Sequence, residues 1–123
     1  MAKKLVILGG GTAGTMMANK LGKNLDTTEW EITLVDKNKT HYYQPGFLFI
    51  PFGIYNRHDV TKPKGNFFPP HVHVIYREID RIEADDNRVL LEDGTVLLYD
   101  YLIIATGTET RPDETPGLKG ELW

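Results

Sequence analysis

The sequence predicts an α/β fold built from a parallel sheet and a three-stranded antiparallel β-meander. Three observations predict it. Four apolar residues, Leu5-Val6-Ile7-Leu8, run straight into the cluster Gly9-Gly10-Gly11-Thr12-Ala13-Gly14. A second run, Trp30-Glu31-Ile32-Thr33-Leu34-Val35, ends on an acid, Asp36. From His73 onward the chain is β-rich, broken by Asp85-Asp86-Asn87 and Asp93-Gly94, and reaches a further apolar run at Tyr101-Leu102-Ile103-Ile104-Ala105-Thr106-Gly107.

The opening stretch reads as a strand over about Lys4 to Leu8, a tight turn, and a helix from about Thr12 to Leu25. Gly9, Gly11 and Gly14 fall on the Gly-x-Gly-x-x-Gly template. In that template the first glycine makes the turn, the second lets backbone approach a pyrophosphate, and the third lets helix and strand pack closely. The helix start then offers unpaired N–H groups and a partial positive charge to an anion. Ala13, Met16, Met17 and Leu21 mark the expected buried side of the helix, with Lys20 as a polar exception.

The second strand is Trp30 to Asp36. Asp36 lies about 22 residues after Gly14, close to the spacing of an acid that accepts hydrogen bonds from a ribose. The alternative is a turn cap before Lys37-Asn38-Lys39. The stretch from His41 to Gly53 is dense in aromatic and apolar residues and is punctuated by Pro45 and Pro51. Either it is core around a short helix or it lines a pocket for a flat ring. Both hold if Gln44 and Pro45 meet the ligand while Phe47, Leu48 and Phe49 pack behind them. Ile54 to Pro70 reads as a loop with a short helical turn. His71 and His73 would share one strand face, but no acid or thiol stands beside them at ligand spacing, so no metal site is assigned.

A third strand is expected at His73 to Tyr76. The meander is expected at Arg77 to Ala84, Arg88 to Glu92 and Thr95 to Leu98, with Asp93-Gly94 a hairpin signal. Tyr101 to Thr106 is expected beside the first strand. In such a sheet, ligands sit beyond the carboxyl ends of the strands, where Gly9, Asp36 and Gly107 would meet.

The length of 123 residues allows one domain at most. The formal net charge of −3 and the absence of a basic cluster argue against nucleic acid as a partner. There is no cysteine, so this chain has no disulfide, thiolate metal site or thiol redox chemistry of its own. The apolar run after Lys3-Lys4 is too short for a signal peptide, and no run approaches a membrane span. A cytoplasmic or membrane-peripheral location is expected. The last residues, Thr115 to Trp123, read as a loop leaving the domain, which suggests the N-terminal piece of a longer protein.

Taken together, these motifs resemble the N-terminal FAD-binding half-domain of the two-dinucleotide flavoproteins, the pyridine nucleotide-disulfide oxidoreductases and their relatives. The resemblance covers the whole chain, residues 1–123, and implies a Rossmann-like FAD/NAD(P)-binding domain that is C-terminally truncated. The stretch His41-Tyr42-Tyr43-Gln44-Pro45-Gly46-Phe47 and the following Phe49-Ile50-Pro51-Phe52-Gly53 look most like sulfide:quinone oxidoreductases. Flavocytochrome c sulfide dehydrogenase flavoprotein and type II NADH dehydrogenase are close alternatives. A non-catalytic nucleotide-binding module is the reading from another class.

The resemblance implies FAD as cofactor and roles by position. Gly9, Gly11, Thr12, Ala13 and Gly14 would hold the pyrophosphate. Asp36, with Lys37 beside it, would hold the adenosine ribose. The backbone of Ile79 would meet the adenine. Gln44 and Pro45 would approach the flavin, and Ala105, Thr106 and Gly107 would close over the cofactor. It assigns no catalytic residue to this chain. The parent would pass electrons from sulfide through FAD to quinone at a membrane surface. The piece alone would be inactive, would hold FAD weakly or not at all, and would self-associate, most simply as a two-fold dimer that buries the exposed edge of the Tyr101 strand or the apolar patch beside it.

Overall fold

The computed structural model describes residues 1–120, so Glu121, Leu122 and Trp123 of the expected exit loop lie outside the described residues. The chain runs β1 (Lys3–Leu8), α1 (Thr12–Asn24), β2 (Trp30–Asp36), β3 (Thr40–Tyr42), a 3-10 helix (Gln44–Phe49), β4 (Thr61–Pro63) and a second 3-10 helix (Lys64–Phe67). It continues through β5 (His73–Tyr76), β6 (Ile79–Glu83), β7 (Arg88–Leu91), β8 (Val96–Leu98) and β9 (Tyr101–Ile104).

Four strands form one sheet in the order β5-β2-β1-β9, all paired parallel. The pleat sends successive side chains to opposite faces. Leu5 and Ile7 of β1, with Ile32 and Leu34 of β2, therefore share one face and pack against Ala18, Met17 and Leu21 of α1. Val6, Leu8 and Val35 face the other way and pack against Val89 and Leu91 of the meander β6-β7-β8. Both faces of the inner strands are covered. That is why β1 reads as an unbroken apolar run from Leu5 to Leu8, and why β2 is buried at Ile32, Leu34 and Val35 with Thr33 buried between them.

The helix turns only part of the expected side to the sheet: Met17 and Leu21 pack on it, but Ala13 and Met16 do not. Met16 is 65% exposed, and Ala13 is exposed too. The buried residues are Gly14, Ala18 and Gly22. Small residues let the helix axis come close to the sheet. A Cβ on Gly14 would run into the Gly9 carbonyl, and one on Gly22 would stand 3.0 Å from His71 Nε2. The larger Met17, Leu21 and Leu25 flank this seam and are partly buried.

The meander is as expected, with each strand a little shorter. Asn87 adopts the left-handed conformation at φ 50° and Gly94 has φ 89°. Both tight reversals thus sit on residues that tolerate it. The loop from Ile54 to Pro70 is more ordered than its composition suggests. Its β4 pairs antiparallel with β3, with His41 opposite Lys62.

The aromatic stretch departs most from expectation. Phe47 is 42% exposed, Leu48 74% and Phe49 42%, so they do not form a core behind Gln44 and Pro45. Only Gly46 of that 3-10 helix is buried, against Val60, Tyr43 and Tyr55. Two prolines prevent the longer helix that would have turned one apolar side inward.

Candidate functional site

The site is assembled at the carboxyl edge of the parallel sheet. The chain leaves β1 at Gly9, whose φ of 97° is open to glycine and strained for other residues. A Cβ there would collide with the Ala105 carbonyl, because Ala105 follows β9 and donates its N–H to Leu8 O at 2.7 Å. The β1 turn and the residues Ala105 and Thr106 are therefore in close contact. Gly107 follows with φ 71°, and a Cβ on it would meet nothing within 4 Å. Gly9, Ala105 and Thr106 are thus brought together, with Gly107 next in the chain.

The three motif glycines divide into two kinds. Gly9 and Gly14 are crowded by the protein itself. Gly11 is not: it has φ −74° and ψ −157°, and a Cβ there would meet nothing within 4 Å. Neither backbone strain nor internal packing requires glycine at this position. Gly11 is the N-cap of α1, and no side chain caps the first turn. Thr15 donates the first helical hydrogen bond, to Gly11 O at 3.0 Å. The N–H groups of Thr12, Ala13 and Gly14 precede that bond and have no helical acceptor. This is a helix start with no side-chain cap and open space at Gly11, at the positive end of the helix, and it fits an anion with several oxygens.

Asp36 ends β2 beside this turn and is 8% exposed. Its Oδ2 accepts the Gly10 N–H at 2.9 Å and its Oδ1 accepts the Asn38 N–H at 3.0 Å. Oδ2 also pairs with the Lys64 ammonium, which reaches it from the second 3-10 helix. Both readings of Asp36 thus have a structural basis. It caps the turn through Asn38, and it stands at the sheet edge tied to the glycine loop. Next to it, in register on β5, is Tyr76. Burial, and then the negative charge of Asp36, pushes the Tyr76 hydroxyl above its ordinary value of 10.0.

The remaining expected residues are placed as follows. Lys37 follows Asp36 and is exposed. Ile79 opens β6 opposite Leu91, and Glu92 N–H donates to Glu78 O at 3.0 Å. That register makes Ile79–Leu91 a non-hydrogen-bonded pair, so the N–H and C=O of Ile79 point away from β7. Gln44 and Pro45 are exposed at the start of their 3-10 helix, whose buried Gly46 packs on Val60 and Tyr55. The hydrogen bonds around Asp36 do not reach them. His71 is engaged elsewhere, donating Nε2–H to the Gly22 carbonyl at 2.6 Å.

Sequence reading missed Gly10, Asn38 and Lys64. Gly10 lies inside the glycine motif, the one signal that marks it; in the structure a Cβ there would stand 2.7 Å from Asp36 Oδ2. Lys64 carries no such signal. It is one lysine in a loop with Lys62, Pro63 and Gly65, and nothing in its spacing marks it as buried.

Known proteins share both the sequence and the fold. The chain is 34% identical over 119 residues to the mitochondrial sulfide:quinone oxidoreductase of Dictyostelium discoideum, covering 97% of this chain and 26% of that protein. It is 33% identical over 119 residues to the type II NADH:quinone oxidoreductase of Staphylococcus aureus, covering 96% and 29%. The X-ray structure of the sulfide:quinone oxidoreductase from Aquifex aeolicus superposes with a TM-score of 0.77 at 28% identity, over 89% of this chain and 25% of that one. The chain therefore spans roughly a quarter of the length of these relatives. The sequence pattern described as pyridine nucleotide-disulphide oxidoreductase matches residues 3–122. With its parallel sheet, glycine turn and meander, this chain belongs to the pyridine nucleotide-disulphide oxidoreductase family.

Proposed function

We propose that this chain is the FAD-binding N-terminal piece of a flavin-dependent oxidoreductase of the sulfide:quinone type. The observation that carries the nucleotide reading is Gly11, a glycine that neither backbone strain nor internal packing explains, at an uncapped helix start. A pyrophosphate explains it, because a side chain there would occupy the ligand's place. Gly9, Gly11, Thr12, Ala13 and Gly14 would hold the pyrophosphate, Asp36 and Lys37 the ribose, and the outward N–H and C=O of Ile79 the adenine edge. Ala105, Thr106 and Gly107 would border the site, with Gln44 and Pro45 on the flavin side. FAD, when bound, supplies the two-electron chemistry between donor and quinone.

The donor is read as sulfide. Support comes from the His41 to Gly53 stretch and from the likeness to sulfide:quinone oxidoreductases in both sequence and structure. The near-equal identity to a type II NADH:quinone oxidoreductase sustains the second reading. This chain has no cysteine and so contributes no thiol to sulfide chemistry. Its part is the grip on the cofactor. Among the described residues no helix is long and apolar enough to cross a membrane, and a quinone-reducing parent is proposed to work from the membrane surface.

Two measurements test this. ADP carries the adenosine and pyrophosphate that these residues would hold, so it is titrated calorimetrically into the chain and its Gly11→Val variant. Gly11→Val is expected to keep its circular dichroism and a cooperative urea transition, because its side chain has room, with a midpoint lowered only by the poorer N-cap, while losing ADP binding. Unchanged affinity in a folded Gly11→Val protein rejects the site. For the donor, the full gene product is mixed anaerobically with sulfide or with NADH. Bleaching of flavin absorbance by sulfide alone is expected, and bleaching by NADH alone selects the second reading.

A further inference from the structure

The Asp36–Lys64 pair holds more hydrogen-bonding capacity than the protein uses. Both side chains are 9% exposed. A carboxylate offers about four acceptor positions, two on each oxygen. Oδ2 takes the Gly10 N–H and the Lys64 ammonium and is full. Among the described residues Oδ1 takes only the Asn38 N–H, leaving one position open. The ammonium has three donors. Among the described residues its one hydrogen-bonded acceptor is Asp36 Oδ2, leaving two donors without protein partners. The backbone holds Lys64 in place, with its N–H donating to Lys39 O at 2.8 Å.

A buried ion pair is poor evidence for stability, since apolar residues of similar volume commonly do as well. A buried ammonium with two unused donors is poorer still. The surplus is complementary: one acceptor on Asp36 and two donors on Lys64, side by side at the carboxyl edge of the sheet. A vicinal diol matches that pattern, because one hydroxyl can donate while its neighbour accepts.

Resting on the dinucleotide reading above, we propose that Lys64 is a second ribose-binding residue, reading the adenosine cis-diol jointly with Asp36. One hydroxyl donates to Asp36 Oδ1, and the other accepts from the Lys64 ammonium. Lys64 thereby also sets specificity, since the Asp36–Lys64 pair as a whole is neutral. The site selects a ligand that both donates and accepts, rather than any cation that a bare carboxylate would attract.

The test is a calorimetric cycle on the chain with three probes: ADP, 2′-deoxy-ADP and 3′-deoxy-ADP. For the native chain each deoxy probe is expected to bind about tenfold more weakly than ADP. Lys64→Met is expected to weaken ADP by a similar factor. Its signature is coupling: one of the two deoxy probes should bind Lys64→Met as tightly as ADP does, because the hydroxyl it lacks has already lost its partner. A native chain that binds 2′-deoxy-ADP or 3′-deoxy-ADP as well as ADP overturns the proposal without any variant. So does a folded Lys64→Met protein that keeps the native affinity or both native preferences. If the native chain binds ADP and Gly11→Val abolishes that binding, either result leaves the dinucleotide reading standing. If the native chain does not bind ADP at all, that reading fails, and this one with it.

Discussion

β1 and β9 are neighbours in one parallel sheet, and their sequences are close in character: Leu5-Val6-Ile7-Leu8 against Tyr101-Leu102-Ile103-Ile104. Their burial is not. Every residue from Leu5 to Leu8 is at most 4% exposed, whereas Tyr101 is 52% and Ile104 62% exposed. β1 has a strand on each side, α1 on one face and the meander on the other. β9 pairs with β1 alone, and among the described residues no strand takes its outer edge. Apolar content expresses what a strand can tolerate; its neighbours decide what is buried.

The largest way to break this difference is to lift α1 off the sheet. Gly14→Val would drive a side chain into the Gly9 carbonyl. Urea denaturation is expected to show a loss of more than about 3 kcal/mol, or no cooperative transition, since backbone cannot yield as a flexible side chain can.

Next comes a matched pair of truncations. Ile7→Ala empties a fully buried position and should cost about 2–5 kcal/mol. At a dilution where the chain is monomeric, Ile104→Ala, on the edge strand, should stay within about 0.5 kcal/mol. Similar urea midpoints for the two variants would show that β9 is covered in solution.

At higher concentration the exposed edge predicts cover by another chain. An open parallel strand presents unpaired N–H and C=O groups beside apolar side chains, and such edges recruit another chain. We propose that the 123-residue chain pairs with a second copy along β9. Sedimentation equilibrium should show a dimer for the native chain and a monomer for Ile104→Lys, which places a charge on that edge. A native monomer at tens of micromolar removes the proposal.

The smallest effect sharpens the comparison at the meander, the layer that covers β1 through Val89 and Leu91. Glu83 is held below its ordinary value of 4.5, first by the hydrogen bond from Arg88 and then by that from Arg81. A carboxyl lowered in the folded state contributes stability above its unfolded pKa and loses it as pH falls through the folded one. Between about pH 5 and pH 3 the urea midpoint should fall more for the native chain than for Glu83→Gln. Equal slopes would show that the bridge is too solvent-exposed to matter.

Much of the chain was legible because local pattern and tertiary role agreed. The β1 run, the glycine turn, the strand ending on Asp36 and the hairpin at Asp93-Gly94 each carry a local requirement that one residue type satisfies. The helix face is legible only in part, at Met17 and Leu21, because the seam itself is made by Gly14, Ala18 and Gly22. A pattern of large apolar residues cannot reveal a surface selected for smallness. Phe47, Leu48 and Phe49 were misread for the opposite reason, since apolar residues signal a need for cover without saying whether this chain provides it.

By itself, the sequence determined the parallel α/β architecture, the glycine turn and the position of Asp36 at the sheet edge. These follow from period-two burial, glycine's backbone freedom and chain-local spacing. Only the tertiary structure decided the partners of Asp36. Lys64 lies 28 residues away and reaches the carboxylate because β4 and the 3-10 helix after it carry the loop back to the sheet edge. Pairing of an ammonium with a carboxylate depends on distance in space and on burial, and neither is written in the spacing of residues along the chain.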